Sequence, residues 1–221
     1  MTVVAVDGPA ASGKGTISRR LATRLNYAYL DTGLLYRAAA SRLVQKSLDP
    51  NNAAMCTAAA SALCSQDLER EDLRTEKIGK TASIVAAHQS VRDSLLKYQR
   101  EFAAFPPDGK AGAVLDGRDI GTVVFPNAHA KLFITASPQT RAKRRFYELS
   151  KFNNRITYDA ILADIRARDA RDMKRIAAPL TKAEDAVLLD TTEMGKESAC
   201  EAAFALVMKQ LELASKPPSP L

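Results

Sequence analysis

Apolar residues follow two alternating rhythms along the chain. Short, nearly continuous runs of strand-forming residues occupy positions 2–7 (TVVAVD), 27–30, 113–116, 131–135 and 186–190, the pattern of buried strands. Between them the apolar positions recur about every four residues. Ile17, Leu21 and Leu25 share one face, with Arg19, Arg20 and Arg24 off it, and Leu35, Ala39 and Leu43 form a second such stripe. This spacing predicts helices after Gly15 and over 34–45, with an Ala-rich helix over 53–63 and helical periodicity over 75–104, as one helix or two. Pro106-Pro-Asp-Gly109 breaks that run. Ser137 before Pro138 predicts an N-cap for a helix carrying Arg141 to Leu149. Asn153-Asn154 ends it, Thr157 opens another helix reaching about Lys174, and a last helix spans 196–213. Segment 66–74 reads as charged and irregular, Val123-Val-Phe125 as a short extended piece, and 215–221 as a disordered tail.

Strands alternating with helices over the whole length predict an α/β fold: a five-stranded parallel sheet between helical layers, α/β/α. The ligand sites of such sheets lie at the carboxyl ends of the strands. Three polar clusters follow strands here, at 8–16, 31–37 and 116–119, and are expected to gather at one rim.

The first cluster, GPAASGKGT, is Gly8, Pro9, Ala10, Ala11, Ser12, Gly13, Lys14, Gly15 and Thr16. Glycines between a strand and a helix let backbone N–H groups approach phosphate oxygens. The helix N-terminus adds further donors, and Lys14 can reach the outer phosphates. This is a P-loop, and a merely flexible turn has no need of lysine at that spacing. The hydroxyl residue follows Lys14 by two places rather than one, which leaves open whether Thr16 touches a metal directly or through water.

In the second cluster, Tyr36 can stack on a base and Arg37 can hold a phosphate. Spacing alone reads equally well as a helix cap with a boundary tyrosine. In the third, Asp116 at a strand end can serve a hydrated Mg²⁺, Arg118 can hold a phosphate, and Asp119 can accept from a base amine. A strand-end turn with a local ion pair is the alternative. Arg168, Asp172 and Arg175 fall on one helix face as an anion site, or else as surface salt bridges.

Composition narrows the class. The chain has 221 residues, 46% hydrophobic, enough for one core with an appended lobe. Three cysteines without a CxxC pair indicate a reducing compartment, and two histidines argue against a zinc site or a His-based triad. No run approaches the ~18 apolar residues of a membrane span, and no secretory leader is evident, so a cytoplasmic protein is expected. The formal charge is +7. Positions 141–175 hold eleven Lys and Arg against five acids, eight of the eleven being Arg. Such a segment seeks phosphates, of a small substrate or of nucleic acid. A nucleic-acid binder needs aromatics interleaved with the basic residues, and Phe146, Tyr147, Phe152 and Tyr158 are too few. A small-molecule reading with no nucleic-acid partner is therefore preferred.

Taken together, DGPAASGKGT, LDTGLLYR, TASIVAAHQSVRDSLLKYQREF, LDGRDIGTVVFP, TRAKRRFYEL, RARDARDMKRIAAPL and DAVLLDTT closely resemble bacterial cytidylate kinases over most of the chain. The resemblance implies a nucleoside monophosphate kinase that moves the γ-phosphoryl group of ATP to CMP or dCMP with Mg²⁺. It implies ATP on residues 8–16 and CMP on Thr32, Tyr36, Arg37, Ser83, Arg92, Arg118, Asp119, Arg168, Asp172 and Arg175. Ser83 and Arg92 gain a role only by this comparison. Lys14, Arg118, Arg168 and Arg175 are expected to carry the transfer, with Thr16 and Asp116 at the metal. Asp119 would read the cytosine amine, leaving a buried carboxylate unsatisfied with UMP. Arg141, Arg144, Arg145 and Arg155 would lie near an ATP-side lid. The implied organisation is one catalytic domain: core 1–35, 110–140 and 176–214, a CMP-binding lobe at about 36–105, and a lid at about 145–160. A monomer is expected. The chain departs from the family where the segment between Leu63 and Thr75 is short, since many members carry an additional small sheet there. A kinase for UMP, AMP or a non-nucleotide acceptor is the rival enzyme reading.

Overall fold

The computed structural model describes residues 1–151 and 156–215. Five strands, β1 (Thr2–Asp7), β2 (Ala28–Asp31), β3 (Gly112–Gly117), β4 (Ala130–Thr135) and β5 (Val187–Asp190), form one parallel sheet in the order β2-β3-β1-β4-β5. The helices are α1 (Lys14–Leu25), α2 (Thr32–Gln45), α3 (Ala53–Ser61), α4 (Ser65–Leu68), α5 (Glu76–Val85), α6 (Gln89–Ala104), α7 (Pro138–Leu149), α8 (Tyr158–Lys174) and α9 (Lys196–Ser215).

Strand alternation sorts the core into two faces. Val4 and Val6 of β1 meet Ile17 and Leu21 of α1 and Ala203 and Val207 of α9. Val3 and Ala5 face the other way, onto Leu30, Leu115, Ile120 and Ala103. The central strand is thus covered by helices on both sides, which is why its run is continuously apolar. Residues 32–104 build their own cluster from Leu35, Leu43, Cys56, Ile78, Val85 and Leu95. Helices α7 and α8 pack separately through Ala142, Ile161 and Ile165.

Most boundaries fall within a residue or two of the sequence reading. The run 75–104 is two helices, α5 and α6, and the Ser137 hydroxyl accepts from the Thr140 N–H at 3.1 Å as expected of an N-cap. Four readings change. Helix α2 starts at Thr32, which moves Tyr36 and Arg37 from the first helical turn to the second. Segment 66–74 is not irregular: it contains α4 and a 3₁₀ turn, Glu71–Arg74. Asp67 ties α4 to Arg42 through two hydrogen bonds of 3.0 and 2.7 Å, and Leu73 is buried. Residues 120–124 form a wide π-type turn rather than an extended piece. The N–H groups of Ile120 and Gly121 donate to the buried Asp7 carboxylate at 2.8 and 2.7 Å, and the Phe125 N–H returns to the Ile120 carbonyl at 2.7 Å. A side chain from 113 residues away decides that local conformation. Helix α9 runs on to Ser215, one residue into the expected tail. The rest of that tail, the Asn153-Asn154 break and Arg155 lie outside the described residues.

Candidate active site

Parallel register brings the polar clusters to one rim, because Asp7 pairs with Gly117 and Asp31 with Asp116 at the strand ends. Above β1 the chain turns through Gly8 (φ 152°), Ala11 (φ 59°) and Gly13 (φ 89°) into α1. At Gly8 an added Cβ would stand 2.0 Å from the Ile134 carbonyl oxygen, so only glycine fits there. Gly13 caps α1 without a side-chain bond, which leaves the helix N-terminus open to an outside anion.

Lys14 points from this loop into a cleft of ≈ 750 Å³ that also receives Asp31, Arg37, Asp116, Arg118, Arg145 and Arg168. Burial and the neighbouring Arg118 push the Lys14 ammonium down to about 8, against the pull of Asp116 and Asp31. Asp116 is buried and accepts the Tyr29 hydroxyl at 2.6 Å. Burial raises its carboxyl to about 6, opposed by Lys14 and reinforced by Asp31. On the other side of the loop a second pocket of ≈ 590 Å³ is lined by Ser12, Gly13, Thr16, Arg144, Thr191, Met194 and Gly195, among others. Thr16 opens onto this pocket, whereas Asp116 opens onto the cleft. The two expected metal residues thus open onto different cavities that meet at Lys14, Gly15 and Asp31, and a Cβ added at Gly15 would stand 3.5 Å from an Asp116 oxygen.

All ten residues expected at the acceptor nucleotide line one narrow pocket of ≈ 50 Å³: Thr32, Tyr36, Arg37, Ser83, Arg92, Arg118, Asp119, Arg168, Asp172 and Arg175. They come from α2, α5, α6, the end of β3 and α8. Asp172 is the hub. Its carboxylate accepts from Ser83 at 3.1 Å and from Arg118 at 3.0 Å, with Arg168 at 3.9 Å. Burial pulls the Asp172 carboxyl upward, but Arg118 and Arg168 overcome it and hold it below the ordinary range. Asp119 pairs with the buried Arg92 guanidinium and stands 3.9 Å from Arg175. Arg92 also lies 5.5 Å from the Tyr36 ring centroid. Arg175 is the C-cap of α8 rather than part of it, yet it still faces the pocket. Arg168 Nε and Arg175 Nη2 are buried and make no hydrogen bond, each standing 3.9 Å from a carboxylate, of Asp172 and Asp119 respectively, so both keep donor capacity.

Asp119 is already engaged by Arg92, with Arg175 at 3.9 Å, so a base amine would share or replace that pairing. One expectation needs correction. Arg141 is not a lid arginine: it is buried, donates to the carbonyls of Ala136 (2.8 Å) and Ala10 (3.2 Å), and grips Asp169 at 3.0 and 2.7 Å. It braces the P-loop against α8. Arg144 and Arg145, by contrast, do reach the pockets. Arg144 is tied to the turn after β5 through Thr191 Oγ1 (3.0 Å) and the Thr191 carbonyl (2.6 Å).

Sequence reading passed over Asp7, Tyr29, Asp31 and the 191–195 turn. Only Asp31 carried a signal, as a carboxylate ending a strand directly before Thr32 and Gly33. The others act through partners far away in the chain.

Comparison with known proteins agrees with this geometry. A family model described as cytidylate kinase matches residues 4–209. The chain is similar to a cytidylate kinase of Paramagnetospirillum magneticum, 50% identical over 206 residues, covering 93% of this chain and 97% of that protein. It is similar also to one of Azorhizobium caulinodans, 53% identical over 206 residues, with 93% and 97% covered. Among solved structures, an uncharacterized protein from Eubacterium ventriosum superposes with a TM-score of 0.55 at 13% identity, covering 98% of this chain and 100% of that one. A sugar kinase from Janibacter gives 0.50 at 13% identity, with 98% and 99% covered. These two show the α/β fold.

Proposed function

The chain belongs to the cytidylate kinase family, and we propose that its two pockets hold ATP and CMP or dCMP with their phosphates meeting over Lys14. The enzyme transfers the γ-phosphoryl group of ATP to the monophosphate of CMP or dCMP. The observation that carries the assignment of residues is the single pocket made by the ten acceptor-side residues, joined to the P-loop cleft through Arg37, Arg118 and Arg168.

On this reading the amides of residues 8–16 cradle the ATP phosphates and Lys14 takes the outer ones. The adenosine end occupies the pocket bounded by Arg144 and the 191–195 turn. Arg37, Arg118 and Arg168 hold the CMP phosphate, whose oxygen attacks the γ-phosphorus while the bond to the β–γ bridging oxygen breaks and ADP leaves. The attacking phosphate is already anionic, so alignment and charge neutralisation replace a strong base. Arg175 with Arg92 and Asp119 faces the base, and Asp172 with Ser83 faces the sugar.

The carboxylates of Asp116 and Asp31 and the Thr16 hydroxyl fit a Mg²⁺ that keeps several waters and is held chiefly by phosphates, since among the described residues no cluster of three metal-binding side chains exists. Such an ion would neutralise charge on the β- and γ-oxygens.

The Arg118–Asp172 and Arg92–Asp119 pairs bridge the acceptor pocket, and nucleotide entry would exchange one of them for contacts to the substrate. Cytosine N4 then donates to Asp119, while the uracil O4 would place one acceptor against another. We assign 36–105 as the acceptor lobe and about 145–160 as the lid; its residues 152–155 are outside the described chain. A cytoplasmic monomer is the accompanying proposal; no described helix is long and apolar enough to cross a membrane.

The test is coupled ADP release with ATP·Mg²⁺ and CMP, dCMP, UMP or AMP, for wild type and Asp119→Ala. Wild type should turn over CMP and dCMP and the variant should lose the preference over UMP. Equal wild-type activity on UMP would remove Asp119 as the base reader.

A further inference from the structure

Where the P-loop cleft meets the donor-side pocket, a few residues line both cavities: Lys14, Asp31, Arg145 and Glu148 among them, together with Arg74. This junction is where the outer phosphate of one nucleotide faces the phosphate of the other. Of the shared residues, Arg74 alone comes from the helical region 36–105.

Its presentation is built rather than incidental. Arg74 ends the 3₁₀ turn Glu71–Arg74. Leu73 is buried beneath that turn, and its carbonyl accepts from Arg37 at 2.6 Å. Asp72 holds the turn from the other side, accepting from Ser41 at 2.7 Å and from Arg70 at 3.0 Å. The backbone of residue 74 is therefore fixed to α2, while the Arg74 guanidinium makes no ion pair or hydrogen bond within the described chain. Across the junction Arg145 Nη2 of α7 approaches the Arg74 carbonyl at 3.5 Å. The same cluster of like charge depresses the Arg37 guanidinium: burial acts first, then repulsion from Arg145, Arg118 and Arg74, with only Asp31 opposing. Glu148 pairs with Arg145 at 2.9 Å and Asp31 opposes the repulsion at Arg37, which leaves Arg74 as the cation of this junction with no acid paired to it among the described residues, at the place where an anion would span both pockets.

The geometry points to Arg74 as a further catalytic residue, a lobe-borne guanidinium that contacts the phosphoryl group in transit between donor and acceptor. It rests on the two-nucleotide reading above. A planar fork on a braced turn suits the spread negative charge of the transferring group, and its arrival with the lobe couples closure to transfer.

The test uses the full chain and Arg74→Ala, Arg74→Lys and wild type. For each, kcat is measured with saturating ATP·Mg²⁺ and CMP, and Kd by calorimetry for CMP, for ATP, and for a bisubstrate probe joining adenosine and cytidine through five phosphates. Arg74→Ala is expected to lower kcat roughly 100-fold, as loss of a phosphoryl-contacting arginine does. It should weaken the five-phosphate probe by more than it weakens CMP or ATP singly, with Arg74→Lys intermediate and thermal melting unchanged. An active wild type with an equally active Arg74→Ala, or a loss confined to CMP affinity, overturns the proposal and leaves the enzyme reading intact. An inactive wild type overturns the reading itself.

Discussion

The donor side and the acceptor side of this active site are built from different materials. On the proposed ATP side the donors are mostly backbone: a nine-residue loop, a helix N-terminus whose cap makes no side-chain bond, and one lysine. Around the acceptor they are side chains, chiefly Arg92, Arg118, Arg168 and Arg175 interleaved with Asp119 and Asp172, drawn from elements spread between Thr32 and Arg175. A backbone cradle is preformed and cannot tell one nucleotide base from another. A side-chain network can discriminate, but its charges must be kept paired until the substrate arrives. Asp119 and Asp172 accordingly hold arginines. On the reading proposed above, discrimination is obtained by exchanging those ion pairs.

The contrast can be broken most severely on the donor side. Lys14→Met should lower kcat by roughly 10³-fold, the scale of a lost charge at a transferring phosphoryl group, while the Kd for CMP stays within a few-fold. Steady-state kinetics with calorimetric CMP binding checks this; a large loss of CMP affinity would mean that the two sides are not separable.

On the acceptor side the corresponding break shows in stability. Arg92→Met strands Asp119 in a buried position with only Arg175 at 3.9 Å. Urea unfolding should show a loss of about 3 kcal/mol, the usual cost of removing one partner of a buried pair. A midpoint unchanged from wild type would show that Arg175 alone satisfies the carboxylate.

The smallest effect sharpens the comparison by pH. Lys14 is depressed to about 8, so its charged form, the one that holds phosphate, is lost above that pH in the free enzyme. Because kcat/KM reports the free enzyme when the second substrate is kept far below its KM, its value for ATP at such low CMP should be flat from pH 7 to about 8 and then fall roughly tenfold per pH unit. The kcat profile should stay flat to higher pH, because bound phosphates favour the ammonium. Coincident profiles would remove Lys14 as the titrating group.

Legibility in the sequence follows the same division. The P-loop was readable because its requirements are local: Gly8 must be glycine where a Cβ would strike the Ile134 carbonyl, and Lys14 follows at a fixed spacing. Ser83 and Arg92 were mute as residues, lying on helices α5 and α6 with nothing nearby in sequence to mark them. Only family resemblance singled them out. Arg141 was misread because an arginine in a basic segment looks the same whether it faces a phosphate or is consumed by Asp169. The 120–124 turn was misread because Asp7, which organises it, sits on another strand.

By itself, then, the sequence determined the alternation of strands and helices, the order in which the polar clusters follow strands, and the phosphate loop, since each depends on neighbours within a few residues. Tertiary structure decided which charges are paired and which are free. Asp119 is given to Arg92 and Arg141 to Asp169, while Arg168 and Arg175 keep buried donors without a hydrogen bond and Arg74 faces the junction of the pockets with no acid paired to it among the described residues. The electrostatic energy of a side chain is set by distance and by the loss of water around it, and both are fixed only when distant segments pack.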